Sequence, residues 1–137
     1  MKRRFRTNIL VRNNRIKEME ELGIVVNHKI LSNEEYLEEL KNKLVEETNE
    51  VIEAKNIDEL SAEICDVLEV VEHIIDAYKL DMNYIQQLKK KKEDKVGKFD
   101  KKNKTFWVEI DEENPEIDYY LSRPTKYPEI FDEYGKF

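Results

Sequence analysis

Residues 37–51 read Leu37-Glu38-Glu39-Leu40-Lys41-Asn42-Lys43-Leu44-Val45-Glu46-Glu47-Thr48-Asn49-Glu50-Val51. Leu37, Leu40, Leu44, Glu47 and Val51 follow one another at the three- and four-residue steps of a single helix face. All are apolar except Glu47. At about 100° per residue, Glu47 projects within roughly 20° of Leu40 and about 40° of Val51. A carboxylate in the stripe that a helix must bury is costly unless its charge is compensated. Where other carboxylates stand nearby, a divalent cation is the usual compensation. Glu46 and Glu50 stand beside Glu47, and the next helix carries Glu63-Ile64-Cys65-Asp66.

The pattern extends in both directions. Ser32 or Asn33 caps the helix, Glu34 and Glu35 occupy its first turn, and it runs to about Lys55. Asn56 breaks it. Asp58 or a neighbour restarts a second long helix to about Lys79, with a stripe of Leu60, Ile64, Val67, Val71, Ile74, Ile75 and Tyr78. A short helix over 14–22 stops at Gly23, and a third longer one over 82–95 stops at Gly97. Residues 1–13 read as extended, Gly23 to Leu31 as a packed loop, and Thr105 to Ile110 as an extended arm. The last 27 residues hold all three prolines and show no helical period. The expectation is an all-α fold: an antiparallel helical hairpin with flanking helices, assembling as a dimeric four-helix-type bundle, with an irregular C-terminal arm. The domain is expected over residues 1–110 and a C-terminal extension over 111–137.

Composition agrees. The 137 residues are 40% charged with three glycines, which favours helix and suffices for one domain. The single cysteine, Cys65, excludes an internal disulfide and fits a reducing, cytoplasmic setting. The basic start, Met1 to Arg6, is not followed by an apolar stretch, so no signal peptide is read, and no apolar run is long enough to span a membrane. The net charge of −7 is unevenly distributed: residues 1–17 carry seven Lys/Arg and no acid, while residues 18–81 carry nineteen acids against five Lys/Arg. Residues 82–104 are basic again, with Lys89 to Lys92 in a row. An acidic centre repels a nucleic-acid backbone, and no aromatics interleave the lysines, so nucleic-acid binding is not expected.

On two antiparallel helices, Glu47 and Glu50 are i,i+3 neighbours, Glu46 and Glu50 are i,i+4, and Glu63 and Asp66 are i,i+3, so four or five carboxylates can converge near the buried edge of the pair, within reach of one ion. Hard oxygen ligands at this density suit Mg²⁺ or Mn²⁺. The chain has 22 Glu, and Glu34-Glu35-Tyr36-Leu37-Glu38 repeats the spacing, but there Glu35 and Glu38 point away from the Leu40 stripe. They read as surface charge. A di-iron site would need Glu-x-x-His, and Val70 stands where the pattern calls for another residue, so His73 reads as a surface or supporting histidine. Cys65 and His28 read as structural.

Glu-Glu-x-x-Glu at 46–50 followed by Glu-x-x-Asp at 63–66 resembles the MazG-like, all-alpha nucleoside triphosphate pyrophosphatases, including the phosphoribosyl-ATP pyrophosphohydrolase-like group. Leu10-Val11-Arg12, Glu35-Tyr36-Leu37, Lys43-Leu44-Val45-Glu46-Glu47, Asp66-Val67-Leu68-Glu69-Val70 and Gly97-Lys98-Phe99 are similar to further blocks of that family. The pattern departs at Asn13, where an Asp is expected, at Val96, where an Arg is expected, and at Lys98, where a second Gly is expected. The resemblance implies Mg²⁺-dependent hydrolysis of a nucleoside triphosphate to a monophosphate and pyrophosphate, and a homodimer or homotetramer. Phosphoribosyl-ATP is an alternative substrate. Under that reading Glu47, Glu50, Glu63 and Asp66 hold the metal, and Glu46 positions or deprotonates the attacking water. Lys43, Lys92 and Lys95 meet phosphates. Tyr36, Tyr84 and Trp107 are candidates to stack on the base. A non-catalytic helical interaction module would keep the fold and gain no stability from Mg²⁺.

Overall fold

A computed structural model describes residues 1–131, which form five helices and no strand. They are α1 (Arg15–Glu21), α2 (Asn33–Glu53), α3 (Ile57–Ala77), α4 (Met82–Val96) and α5 (Ile117–Leu121). The all-helical class matches the expectation, with helix ends within about two residues of those read from the pattern. No described helix is long and apolar enough to cross a membrane. The chain divides into two compact units, one over Met1–Lys95 and one from Val96 onward.

Local chemistry sets the ends of the two long helices. Ser32 opens α2 with a reciprocal cap: its hydroxyl accepts from the Glu35 N–H at 3.2 Å, and Glu35 Oε1 accepts from the Ser32 N–H at 3.1 Å. Glu35 Oε2 also takes the Lys29 ammonium at 2.7 Å. Glu35 is therefore a structural residue, which corrects its reading as plain surface charge. Ala54, Lys55 and Asn56 connect α2 to α3, and it is Asn56 rather than Asp58 that caps α3, its Oδ1 accepting from the Glu59 N–H at 2.8 Å. At the far end of α3, Lys79 takes a left-handed φ of 54° while Leu80 N–H bonds back to the Ile75 carbonyl. This is a Schellman stop made without glycine.

α2 and α3 pack antiparallel. The Tyr78 hydroxyl, at the end of α3, donates to the Leu37 carbonyl at the start of α2 at 3.2 Å. This pair of helices carries the main packing of the first unit. Its buried residues are few: Leu40 and Glu47 on α2 and Val70 on α3.

The phase of α3 differs from the expected stripe. Val70 faces α2, with Glu63, Asp66, Val67 and Ile74 within about 60° of it. The stripe of Leu60, Ile64, Val67, Val71, Ile74, Ile75 and Tyr78 is centred about 90° further round. Its outer members stay open in a single chain, Leu60 at 41% exposed and Ile64 at 42%, as does Leu68 beyond them. Periodicity finds the mean direction of an apolar arc. On α3 that arc is wide enough for two partners, and α2 takes only one side of it.

The second unit holds α5. This corrects the expectation that the last 27 residues are wholly irregular. Tyr119, Tyr120 and Tyr127 bring their rings within 5.2–5.8 Å of one another, and the Arg123 guanidinium stacks 4.2 Å from the Tyr119 ring. That small aromatic cluster supports a turn of helix that has no apolar period of its own.

Candidate metal centre

α2 and α3 are joined by a three-residue connector, so Glu47 and Glu50 on one helix are placed across from Glu63 and Asp66 on the other. Each of the four offers a carboxylate oxygen, and these oxygens all lie within 4.8 Å of one another. Twice a Mg–O distance of about 2.1 Å is about 4.2 Å. The four oxygens therefore need to close by only a few tenths of an ångström to share one small, hard cation. The Glu35–Glu38 copy of the spacing does not join them.

Glu47 is the anchor, at only 6% exposed. Glu47 Oε2 and Glu63 Oε2 are both buried, and among the described residues neither has a hydrogen-bond partner. Leaving such an acceptor unmatched costs about 1–3 kcal/mol, more when it is charged. Two orphaned anionic oxygens facing one cluster fit a bound cation, and the all-oxygen donor set fits Mg²⁺.

The electrostatics point the same way. Burial pushes the Glu47 carboxyl above the usual carboxylate range; the Glu50 carboxylate adds to the rise and Lys43 opposes it. For Glu50, contact with Glu47 pulls downward, but burial and the Glu63 carboxylate outweigh it and the group is raised as well. These are acids crowded with too little positive charge.

Lys43 supplies part of that charge. Its ammonium lies 3.2 Å from both oxygens of Glu46 and 3.3 Å from Glu47 Oε1. Its side chain is only 17% exposed. The sequence placed Lys43 on a phosphate; in the structure it ties the Glu46 carboxylate to the edge of the cluster. The spacing 43, 46, 47 is the i,i+3 and i,i+4 spacing of helical ion pairs, so this role was readable from the sequence. Glu46 itself stands beside the four acids and outside their common contact. Lys92 and Lys95 are exposed on α4, and α4 contributes to neither of the two clefts near the cluster. Of the aromatic candidates, Tyr36 lines a cleft beside Leu40 and Glu47, Tyr84 is exposed on α4, and Trp107 belongs to the second unit.

One residue without a site role in the motif reading belongs here. Arg12 reaches Asp66 Oδ1 at 2.8 Å and Glu69 Oε2 at 2.5 Å. Both contacts raise the affinity of the guanidinium for its proton, and the Arg12 contact holds Glu69 below the usual carboxylate range. His73 lies 3.9 Å from Glu69 and 55% exposed, in line with a supporting or surface histidine. Cys65 is exposed and free.

Compared with family models, with curated proteins and with solved structures, the chain matches none.

Proposed function

We propose that this chain is a Mg²⁺-dependent nucleoside triphosphate pyrophosphohydrolase, releasing a nucleoside monophosphate and pyrophosphate. The observation that carries this reading is the convergence of Glu47, Glu50, Glu63 and Asp66 within 4.8 Å, with two of their oxygens buried and unmatched. The MazG-like sequence pattern gives the reaction class. A cation in this site would offset the charge of the triphosphate and of the developing leaving group.

The chain's own residues supply the rest. Glu46, fixed by Lys43 through both carboxylate oxygens, is positioned at the edge of the cluster to orient a water and take its proton. Lys43 keeps that carboxylate from drifting into the metal ligands. Tyr36 offers a ring to a base in the adjoining cleft. Lys92 and Lys95 have no part in this scheme.

The same reading includes a second copy of the chain. Ile57, Leu60, Ile64 and Leu68 are exposed along α3, and Val45 and Ile52 along α2. Two hairpins paired through these residues form a four-helix bundle and bury an apolar arc that a single chain leaves in water. A homodimer is the simplest assembly that does this.

The test is a panel of ribo- and deoxyribonucleoside triphosphates, with phosphoribosyl-ATP included, incubated with Mg²⁺ or Mn²⁺ and scored for pyrophosphate. Release that depends on the cation and is lost in Glu63→Gln supports the reading. Calorimetric binding of Mg²⁺ with no pyrophosphate from any substrate would leave a metal-stabilised interaction module.

A further inference from the structure

Residues 9–15 cross the groove between α2 and α3 and close one side of a cleft of about 640 Å³. Its lining includes Arg12, Tyr36, Lys43, Glu47, Asp66 and His73. The volume lies in the range of small-molecule sites, about 300–1,000 Å³. The carboxylate cluster forms part of its wall through Glu47 and Asp66.

The cations of this cleft are already paired. Arg15 is bonded to Glu18, Lys43 to Glu46 and Glu47, and Arg12 to Asp66 and Glu69. A polyphosphate therefore finds no unopposed positive charge until a cation neutralises the acids. Arg12 differs from the other two in how it is held. Both of its ion pairs use Nη2. The guanidinium fork carries five N–H donors, and among the described residues those on Nε and Nη1 are left for another acceptor. The two carboxylates that hold Arg12 come from the same helix one turn apart, and one of them belongs to the metal cluster.

We propose that this cleft binds the polyphosphate chain of the substrate, and that Arg12, anchored through Nη2 by Asp66 and Glu69, is the residue that recognises it. The inference rests on the pyrophosphohydrolase reading and adds to it the phosphate ligand. A guanidinium presents its remaining donors to a phosphate in a fixed, planar fork, which a lysine cannot copy. Were Asp66 to share its carboxylate with a cation at the cluster, its hold on Arg12 would weaken, and the guanidinium would be freer to turn its donors toward the phosphates. Arg12 and Asp66 are 61% and 36% exposed, so their pair is of the weak, solvent-screened kind that such exchange requires.

The arrangement makes two equilibria move in opposite directions. Removing Arg12 takes positive charge from beside the cluster, so the cation binds more tightly. It also removes the phosphate ligand, so the anion binds less tightly. The probes are Mg²⁺ alone, then imidotriphosphate (base-free and non-hydrolysable) in saturating Mg²⁺, both followed by calorimetry. Arg12→Gln should tighten Mg²⁺ by about two- to five-fold, the scale of a lost surface ion pair. It should weaken imidotriphosphate by about ten-fold or more, the scale of a lost charge-assisted hydrogen bond. Arg12→Lys should restore the Mg²⁺ constant and recover only part of the imidotriphosphate constant. Glu69→Gln, which loosens the anchor and leaves the cluster complete, should weaken imidotriphosphate by several-fold. Unchanged or parallel shifts in the two constants for Arg12→Gln overturn the assignment of Arg12 and leave the enzyme reading standing. No Mg²⁺ binding by the parent protein overturns both.

Discussion

Replacing Glu47 by Leu tests the metal centre at its most buried point. The glutamate is 6% exposed and leaves Oε2 without a partner. In the metal-free protein, removing that unmatched oxygen gains about 1–3 kcal/mol, and relief of the crowding with Glu50 adds to this. Against it stands the contact of Lys43 with Glu47 Oε1 at 3.3 Å. That loss is on the order of 1 kcal/mol, because Lys43 keeps Glu46 at 3.2 Å and is not stranded. Lys43 means that a cation is not the only compensation for Glu47, and the expected gain is smaller than for an unopposed buried charge. A leucine fills the same stripe at similar volume, with a repacking cost under about 1.5 kcal/mol. The net expectation is a metal-free protein more stable by about 1 kcal/mol, a rise in melting temperature of about 4–8 °C for a unit of this size. With Mg²⁺ the order reverses: the parent gains stability and the variant does not, and pyrophosphate release is lost with it. Thermal melts with and without Mg²⁺, run beside a pyrophosphate assay, read all three. A variant that is less stable without Mg²⁺ and still stabilised by it would refute the reasoning, since Glu47 would then be a structural partner of Lys43 and not a ligand.

Other outcomes follow from the same geometry. Glu47 and Glu50, raised in the folded protein, favour folding fully below the ordinary value of 4.5, and this is lost as pH rises through their folded values. Glu35, held at about 2 by Lys29 and the Ser32 cap, contributes above 4.5 and loses that contribution as pH falls towards 2. Metal-free melts should therefore rise as pH is lowered from neutral toward about 5 and fall again below about 4, and Mg²⁺ should cancel the first trend because it binds the ionised acids. If the proposed homodimer forms, Ile64→Lys combined with Leu68→Lys should convert it to a monomer by sedimentation, and an oligomer that survives both would place the interface elsewhere. Ser32→Ala should cost about 1 kcal/mol in chemical denaturation by removing one half of the α2 cap.

Much of the site could be read from the sequence, because its parts obey helical spacing. Glu47 stood out against Leu37, Leu40 and Leu44, and the second acid pair followed in a helix read to restart near Asp58, just past the break at Asn56. Ser32 and Glu35 spelled a reciprocal cap that counting acids obscured. What stayed hidden depends on how separate segments meet. The facing side of α3 is set by its packing on α2, which buries Val70 and leaves Glu63 and Asp66 across from Glu47 and Glu50, away from the centre of the apolar stripe. Arg12 lies 54 positions from Asp66, and no local period connects the two. The short α5 owes its place to the rings of Tyr119, Tyr120 and Tyr127, whose contacts are formed by folding.

The three-residue connector between α2 and α3 also orders events in time. The four acids come from adjacent helices, so bringing them together closes a short loop, and helical hairpins of such low contact order form in microseconds to milliseconds. Arg12 joins across a far longer stretch of chain, and its exposed pair gives it little hold on the groove. The cluster of negative charge is thus assembled early and strapped late. During that interval a cation is the counter-charge at hand, so Mg²⁺ should speed the closing of the hairpin itself, as well as stabilise it once closed.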